Sequence, residues 1–245
     1  MNAVDPIGIL FGGMEKLGPG SNVDTLEVLG MLPKQSYPLI VDAGCGSGRQ
    51  SLVLAKQIQT IVHAVDSYEP FLKSLEKRAK NSGIAHLIQP HCMDMSDIPN
   101  SFKEIDLLWS EGAAYNIGFA NALNIWRKAI KPDGFLVVSE LSWLRRKVPL
   151  EVRRFFASSY PDMRSNEENL LVIQDAGYKV LRTHALPQET WVEDYYEILE
   201  PRAQALLDHP DESVRSFAAE TIEEIRIFSC CEDTYGYVFY VLQKT

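Results

Sequence analysis

The chain has 245 residues, of which 46% are hydrophobic, and a formal net charge of −9 at pH 7. This length and composition suffice for one complete hydrophobic core, so we expect a single domain over residues 1–245. The acidic balance, with no basic cluster larger than Arg145-Arg146-Lys147, argues against a nucleic acid or a membrane surface as the partner and favours a small molecule.

The N-terminal residues lack the features of a targeting segment. They have no basic region, and Asp5-Pro6 and Gly12-Gly13 interrupt their apolar run, so a signal peptide is not expected. Nowhere does the sequence contain the run of about 18 apolar residues that a membrane-spanning helix requires. We therefore expect a cytoplasmic protein. Residues 1–36 precede the first strand, and Ser21 or Asn22 is placed to cap a helix there.

A glycine-rich loop follows the first predicted strand in the run Val41-Asp42-Ala43-Gly44-Cys45-Gly46-Ser47-Gly48. An apolar stretch that ends at an acid and continues with glycine at every second position indicates a buried strand that turns sharply into a helix. Glycine lets a ligand approach the backbone because it has no Cβ, and the free N–H groups of the following helix point at the same place.

The spacing of this loop indicates the ligand. A nicotinamide-binding G-x-G-x-x-G pattern requires glycine where the chain has Arg49, and the acid in the loop disfavours a pyrophosphate but suits an ammonium group. The second predicted strand, residues 60–66, ends in Asp66 at about the 20-residue spacing expected of an acid that binds ribose hydroxyls. Together these features indicate a nucleoside that carries an amino acid.

With this D-x-G-x-G-x-G loop and Asp66, the sequence resembles the class I S-adenosylmethionine-dependent methyltransferases of the small-molecule, broad ubiquinone-biosynthesis-like type. The resemblance implies S-adenosylmethionine as the cofactor. It also implies that Asp42 orients the methionine end of the cofactor, that Asp66 binds both ribose hydroxyls, and that Asp94 and Met95 contact the adenine. The implied cofactor site is completed by Ala43, Gly44, Cys45, Gly46, Ser67 and Ser110.

Strands and helices alternate along the rest of the chain. The apolar spacing predicts helices over residues 51–58, 69–82, 119–130 and 166–176, and strands over residues 85–92, 105–109, 135–139, 178–185 and 237–242. Five β–α units in series predict a parallel sheet with helices on both faces. With the resemblance, we expect an α/β, Rossmann-like fold with a seven-stranded, mostly parallel sheet whose last strand is antiparallel.

Two later stretches, residues 142–165 and 188–229, exceed this plan. The second is long enough for helices of its own, with Val214, Ala218 and Ile225 on one face and Asp211 as a plausible N-cap. Segments of this length in an α/β fold are often functional, so we expect both to form the substrate side and residues 1–36 to form an N-terminal helical lid.

The residues after the fourth strand are the candidates for chemistry. The Asn/Asp-Pro-Pro-aromatic motif of enzymes that methylate nucleic-acid amino groups is absent from residues 110–119, which argues against a nucleic-acid base as acceptor. The resemblance implies that Glu111, Tyr115 and Asn116 border the sulfonium methyl. Glu111 and Glu140 are candidate bases or substrate-orienting groups. The alternative for each of them is a structural role as a hydrogen-bond acceptor.

Aromatic residues in or beside the insertions have two interpretations. Trp143, Trp191 and Tyr195 are predicted either to pack in the core or to form the wall of the acceptor pocket. The four cysteines show no C-x-x-C pair and no histidine at ligand spacing, so no metal site is expected. Two alternative functions remain. One is binding of S-adenosylmethionine without catalysis. The other is that of an NAD(P)-dependent oxidoreductase, which would share only the first fold elements.

Overall fold

The computed structural model describes residues 4–33, 36–231 and 233–245. Two helices precede the sheet, α1 (Pro6–Phe11) and α2 (Asn22–Gly30). The first half of the sheet then follows as β1 (Ile40–Ala43), α3 (Arg49–Ile58), β2 (Val62–Asp66), α4 (Glu69–Asn81), β3 (Ile88–Cys92), α5 (Ile98–Ser101), β4 (Ile105–Ser110), α6 (Phe119–Trp126) and β5 (Ile130–Trp143). The remaining elements are α7 (Leu150–Ser159), β6 (Arg164–Ser165), α8 (Asn166–Asp175), β7 (Tyr178–Ala185), α9 (Glu189–Trp191), a π-helical turn (Val192–Tyr196), α10 (Glu197–Leu206), α11 (Glu212–Cys230) and β8 (Tyr235–Lys244).

The strands form one sheet in the order β3-β2-β1-β4-β5-β8-β7. Neighbours are parallel except for β8, which lies antiparallel between β5 and β7. The two-residue β6 pairs with the end of β5 and is an addition to the seven strands that the sequence predicts. The predicted α/β fold, with a mostly parallel sheet and an antiparallel last strand, is confirmed.

Helices cover both faces of this sheet. On one face Leu54 of α3 and Leu75 of α4 are fully buried against the strands, and on the other face Leu123 and Trp126 of α6 are fully buried. A third apolar cluster joins α1, α7, α10 and α11 beyond the carboxyl ends of the strands, and its members include Leu10, Phe156, Leu199, Ala218 and Phe228. The N-terminal segment and the insertions therefore share a core of their own.

Three predicted boundaries were wrong. The helix expected over residues 119–130 ends at Trp126, and Ile130 instead begins β5 by pairing with Ile105. The strand expected from residue 135 begins at Ile130, and residues 131–134 form an irregularity inside it, where the pairing register shifts and Asp133 adopts a φ of +57°. The strand expected from residue 85 begins at Ile88, because residues 85–87 form a 3-10 turn. In each case tertiary pairing decides a boundary that local spacing leaves open.

The extra segments form the elements that their spacing indicates. Ser21 caps α2 in a reciprocal pair with Asp24, and Asp211 caps α11 by accepting from the backbone N–H of Ser213 at 2.9 Å. Residues 1–3, 34 and 35 of the predicted N-terminal lid lie outside the described residues. None of the described helices combines the length and the apolar character that crossing a bilayer demands.

Candidate functional site

A cavity of about 670 Å³ lies at the carboxyl ends of the parallel strands. Its floor consists of the loop after β1, the end of β2 and the residues that follow β3 and β4. Residues from α1 and the segment after it, from α7 and from the insertion between β7 and β8 cover it. This is where ligands bind in open α/β sheets, and the volume suits a nucleoside cofactor together with a small second ligand.

The glycine loop is held tightly against β2 and β4. The N–H groups of Gly44 and Cys45 both donate to the carbonyl oxygen of Val65 at 2.9 Å. Gly44 has a φ of +71°, and a Cβ built on it would lie 2.3 Å from the Cβ of Ala113. The position therefore admits only glycine without movement of the backbone, and the loop surface stays open to the cavity.

Asp66 binds the backbone of the glycine loop and also lines the cavity. Its Oδ2 accepts from the N–H of Gly46 at 2.8 Å, and its Oδ1 accepts from the N–H of Tyr68 at 2.9 Å. Burial raises the pKa of Asp66, and the two backbone donors oppose that shift. Each carboxylate oxygen has two acceptor positions, so Asp66 can hold the loop and still accept hydrogen bonds from a diol in the cavity.

Asp94 and Met95 lie at the same end of the cavity, after β3. Asp94 accepts from the N–H of Ser96 at 2.7 Å, and hydrogen bonds from the side chain and then the backbone of Ser96 lower the pKa of Asp94. Seven of the ten predicted cofactor residues thus line the cavity, and they are Gly44, Cys45, Gly46, Asp66, Ser67, Asp94 and Met95.

The other three predicted cofactor residues, Asp42, Ala43 and Ser110, are fully buried beneath the loop and do not line the cavity. Asp42 accepts from the hydroxyl of Ser51 on α3 at 2.5 Å, and burial raises its pKa to about 7. Their side chains support the loop from beneath, so Asp42 can act on a cofactor only through the loop, as the resemblance implies. The strand places Asp42 where it fixes the start of α3 rather than the ligand.

Glu111, a candidate base, is fully engaged by donors. Lys16 forms an ion pair with its Oε2 at 2.6 Å, while Thr25 and the indole N–H of Trp109 each donate to its Oε1 at 2.9 Å. Both partners of the ion pair are buried, with 8% and 4% of their side-chain surface exposed. The geometry favours the structural alternative for Glu111, which joins the N-terminal segment to the end of β4.

The N-terminal segment is hydrogen-bonded to the glycine loop and to α10. The hydroxyl of Ser47, in the glycine loop, lies 2.9 Å from the carbonyl oxygen of Met14 and 2.7 Å from that of Glu15. Arg202 of α10 donates to the carbonyl oxygens of Leu10 and Gly12 at 3.0 and 2.8 Å. The predicted lid therefore lies over the loop, with residues 15–19 lining the cavity.

Glu140 and Trp143 do not line the cavity, which favours the structural alternative that the sequence leaves open for each of them. The hydroxyl of Tyr160, which does line it, donates to the carboxylate of Glu140, and burial raises the pKa of Glu140 to about 8. The indole N–H of Trp143 donates to the carbonyl oxygen of Met163 at 3.0 Å, and its ring packs on Phe156. Glu140 reaches the cavity only through Tyr160, and Trp143 is a packing residue.

We expect the stability of the protein to fall as the pH rises from about 4.5 to about 8, because the pKa of Glu140 is raised from 4.5 to about 8 in the folded state. Within this window the unfolded chain loses the proton and the folded chain keeps it, and above the window the effect is constant. Glu140→Gln preserves an acceptor for Tyr160 and should remove this part of the fall. Urea unfolding of both proteins at several pH values measures it, and equal pH slopes would contradict the assignment.

Several of the aromatic residues singled out by the sequence line the cavity. Tyr115, Asn116, Trp191 and Tyr195 all line the cavity. Trp191 is stacked between Phe228 and Tyr237, with ring centroids 4.9 and 5.4 Å away, so it supports the wall as well as facing the cavity. The side-chain amide of Asn116 donates to the carbonyl oxygen of Ala113 at 3.1 Å and shapes its own turn.

Several lining residues were missed by the sequence analysis, namely Lys16, Tyr160, Glu224 and Tyr237. A usable signal existed for Glu224, since Phe217, Thr221, Glu224 and Phe228 recur at helical spacing on α11. Lys16 lies in a loop whose pairing with Glu111 depends on the tertiary fold alone. Within the described ranges, no three histidine, cysteine or acidic side chains converge as a metal site would require.

Comparison with known proteins agrees with this geometry. Residues 40–134 match the family described as a methyltransferase domain. In sequence the chain is similar to the uncharacterized protein YjhP of Escherichia coli strain K12, with 26% identity over 192 residues that cover 77% of this chain and 75% of that protein.

In structure it is similar to two SAM-dependent methyltransferases that were crystallised in complex with S-adenosyl-L-homocysteine. The protein from Thiobacillus denitrificans gives a TM-score of 0.81 at 18% identity, and the comparison covers 100% of both chains. The protein from Geobacter sulfurreducens gives a TM-score of 0.82 at 19% identity, again over 100% of both chains. The fold that the sequence resemblance implies is confirmed.

Proposed function

We propose that this protein is an enzyme that transfers a methyl group from S-adenosylmethionine to a small-molecule acceptor. The match of residues 40–134 to a methyltransferase domain and the class I S-adenosylmethionine-dependent methyltransferase fold support this proposal. The observation that carries the proposal is the joined geometry of the glycine loop and Asp66. An acid at the end of β2 that holds the loop and keeps acceptor positions toward the cavity suits the sugar of a nucleoside.

In this proposal one set of cavity residues binds the cofactor and another set binds the acceptor. Asp66 would bind the ribose hydroxyls, Asp94 and Met95 the adenine, and the backbone of residues 44–46 the amino-acid end. When bound, S-adenosylmethionine supplies a methyl group on a positively charged sulfur. Residues of the lid and the insertions then hold the acceptor in line with that methyl and exclude water, and positioning of this kind is a large part of the acceleration.

We propose a small molecule as the acceptor because the cavity is covered. The lid and α10 are joined by the Arg202 hydrogen bonds, and residues 15–19 line the cavity beside the loop, so the described part of the cavity is covered on this side. The net charge of −9 also disfavours nucleic acid and membrane surfaces. A cytoplasmic location is part of the proposal, since all four cysteines are free thiols, as expected in a reducing compartment.

The proposal is tested by calorimetric titration with S-adenosylhomocysteine and with NAD. We expect the first to bind and the second to give no heat, and we expect Asp66→Ala to weaken S-adenosylhomocysteine by about 10- to 150-fold, because hydrogen bonds to a charged partner are lost. The matched control is Asp175→Ala, which removes an exposed acid at the end of α8. Binding of NAD instead, or an Asp66→Ala variant that is folded and binds like the parent, would refute the assignment.

Methyl transfer itself separates an enzyme from a protein that merely binds the cofactor. Incubation with S-adenosylmethionine and a library of small metabolites, followed by mass spectrometry, should reveal a product heavier by one CH2 unit together with S-adenosylhomocysteine. Tyr195 and Trp191 belong to the acceptor side in this proposal, so changes there should lower transfer and leave S-adenosylhomocysteine affinity nearly intact.

A further inference from the structure

A partly buried acid lies in the cavity, within the insertion between β7 and β8. Glu224 of α11 is half-buried and lines the cavity. Its Oε1 accepts from the hydroxyl of Tyr196 at 2.8 Å, while no described residue donates a hydrogen bond to its Oε2. Burial raises the pKa of Glu224 in this setting.

Tyrosines surround this carboxylate. Tyr115, Tyr195, Tyr235 and Tyr237 line the same cavity, and each is close enough for the charge of Glu224 to raise its pKa further, after burial as the main cause. The hydroxyl of Tyr235 is buried without a hydrogen bond to any described residue. The walls are therefore aromatic, and hydroxyl oxygens and one carboxylate oxygen remain to accept hydrogen bonds from a ligand.

The charges of the cavity are unbalanced. Among the described residues that line it, the acids are Glu15, Asp66, Asp94, Glu111 and Glu224, and Lys16 is the single lysine or arginine. Lys16 is already paired with Glu111 at 2.6 Å. A carboxylate or phosphate on the acceptor would find no available cation here, whereas a cation would meet Glu224 and electron-rich rings.

We propose that Glu224 binds the acceptor nitrogen, and that the acceptor is a small amine which enters as an ammonium ion between Glu224 and the surrounding tyrosines. This inference rests on the proposed methyltransferase function. An ammonium group has three N–H donors, and the site offers the Oε2 of Glu224 and the tyrosine hydroxyl oxygens as acceptors. A hydroxyl acceptor could also donate to the Oε2 of Glu224, but it would place no positive charge beside this carboxylate.

The chemistry of transfer is consistent with this placement. The ammonium transfers one proton to the carboxylate of Glu224, and the neutral nitrogen then forms a bond to the methyl carbon with its lone pair. The carbon–sulfur bond breaks and its electron pair stays on sulfur, which gives S-adenosylhomocysteine and a methylated ammonium product. Glu224 returns its proton to solvent. The raised pKa of Glu224 suits a group that holds this proton briefly.

The test uses three probes with one aromatic body and different polar ends, namely phenethylamine, phenethyl alcohol and hydrocinnamate. Each is titrated into the full-length protein saturated with S-adenosylhomocysteine, and binding is followed by calorimetry. We expect the amine to bind about tenfold or more tightly than the alcohol, and the carboxylate to bind more weakly than both. An equal response to all three probes, a preference for the carboxylate, or no response to any of them overturns the proposal.

Variants then assign the preference to Glu224. Glu224→Gln keeps an acceptor for Tyr196 and should abolish the preference for the amine, while Glu220→Gln, an exposed change one turn earlier on α11, should retain it. A folded Glu224→Gln protein that still prefers the amine overturns the role of this residue. Affinity for S-adenosylhomocysteine should be the same in all three proteins. Failure to bind it would count against the proposed function itself, so the two failures are distinguishable.

Discussion

Replacing Gly44 with alanine is expected to lower the affinity for S-adenosylhomocysteine by about 100-fold or more. The new Cβ would lie 2.3 Å from the Cβ of Ala113, whose own backbone is 3.7 Å away, so the loop must move by roughly 1 Å to restore contact distance. That movement breaks the alignment of the Gly44 and Cys45 N–H groups with the carbonyl oxygen of Val65. Calorimetric titration of the purified variant measures the loss.

Gly83→Ala is the matched control for this variant. Gly83 has the same φ of +71°, but a Cβ built on it has no atom within 4 Å. Alanine there should therefore show the cost of the left-handed backbone alone, about 1 to 2 kcal/mol of stability, with S-adenosylhomocysteine affinity unchanged. If Gly44→Ala is folded and binds like Gly83→Ala, the contact with Ala113 does not shape the cofactor loop.

Replacing Lys16 with methionine is expected to reduce the free energy of unfolding by about 3 to 5 kcal/mol. Lys16 lies 2.6 Å from Glu111, both side chains are nearly inaccessible to water, and the change leaves the carboxylate of Glu111 charged and buried without its counterion. Thr25 and Trp109 continue to donate to it, but neither carries charge. Urea unfolding followed by circular dichroism measures the loss.

Lys73→Met provides the control for the ion pair. Lys73 lies 3.0 Å from Glu69 on α4, but 68% and 64% of the two side chains are exposed, so its loss should cost less than about 1 kcal/mol. Adding Glu111→Gln to Lys16→Met should restore part of the stability, because it removes the unpaired charge. Equal losses from Lys16→Met and Lys73→Met would show that burial does not strengthen the Lys16 pair.

Local sequence determines the first half of the sheet and the cofactor side of the cavity. The glycine loop and Asp66 follow consecutive strands, and parallel strands bring such ends to one edge of the sheet by geometry alone. Their placement could be predicted because each residue depends on its own strand. The register shift at Ile105 and the 3-10 turn before Ile88 were not predictable, because pairing with neighbouring strands decides them.

The acceptor side of the cavity is built by packing between distant segments of the chain. Sequence spacing therefore predicts poorly which side chains line it. Asp42, Ser110 and Glu140 are polar residues in the last four residues of their strands, as Asp66 is, yet they are buried in the core and do not line the cavity. Strand alternation predicts that side chains face opposite sides, but not which side faces the ligand. Glu224 shares helical spacing with Phe217 and Phe228, but that spacing alone does not show that this face of α11 packs over the cavity.

The position of β8 has a consequence for synthesis. The strand from Tyr235 to Lys244 lies between β5 and β7, so neither strand is paired on that side until the ribosome has added residues 235–244. During that interval β5 presents a long apolar edge, from Phe135 to Val138, of the kind that pairs readily with other chains. A nascent chain halted within α11 would be prone to aggregation, and chaperone contact would be concentrated in the interval before β8 closes the sheet.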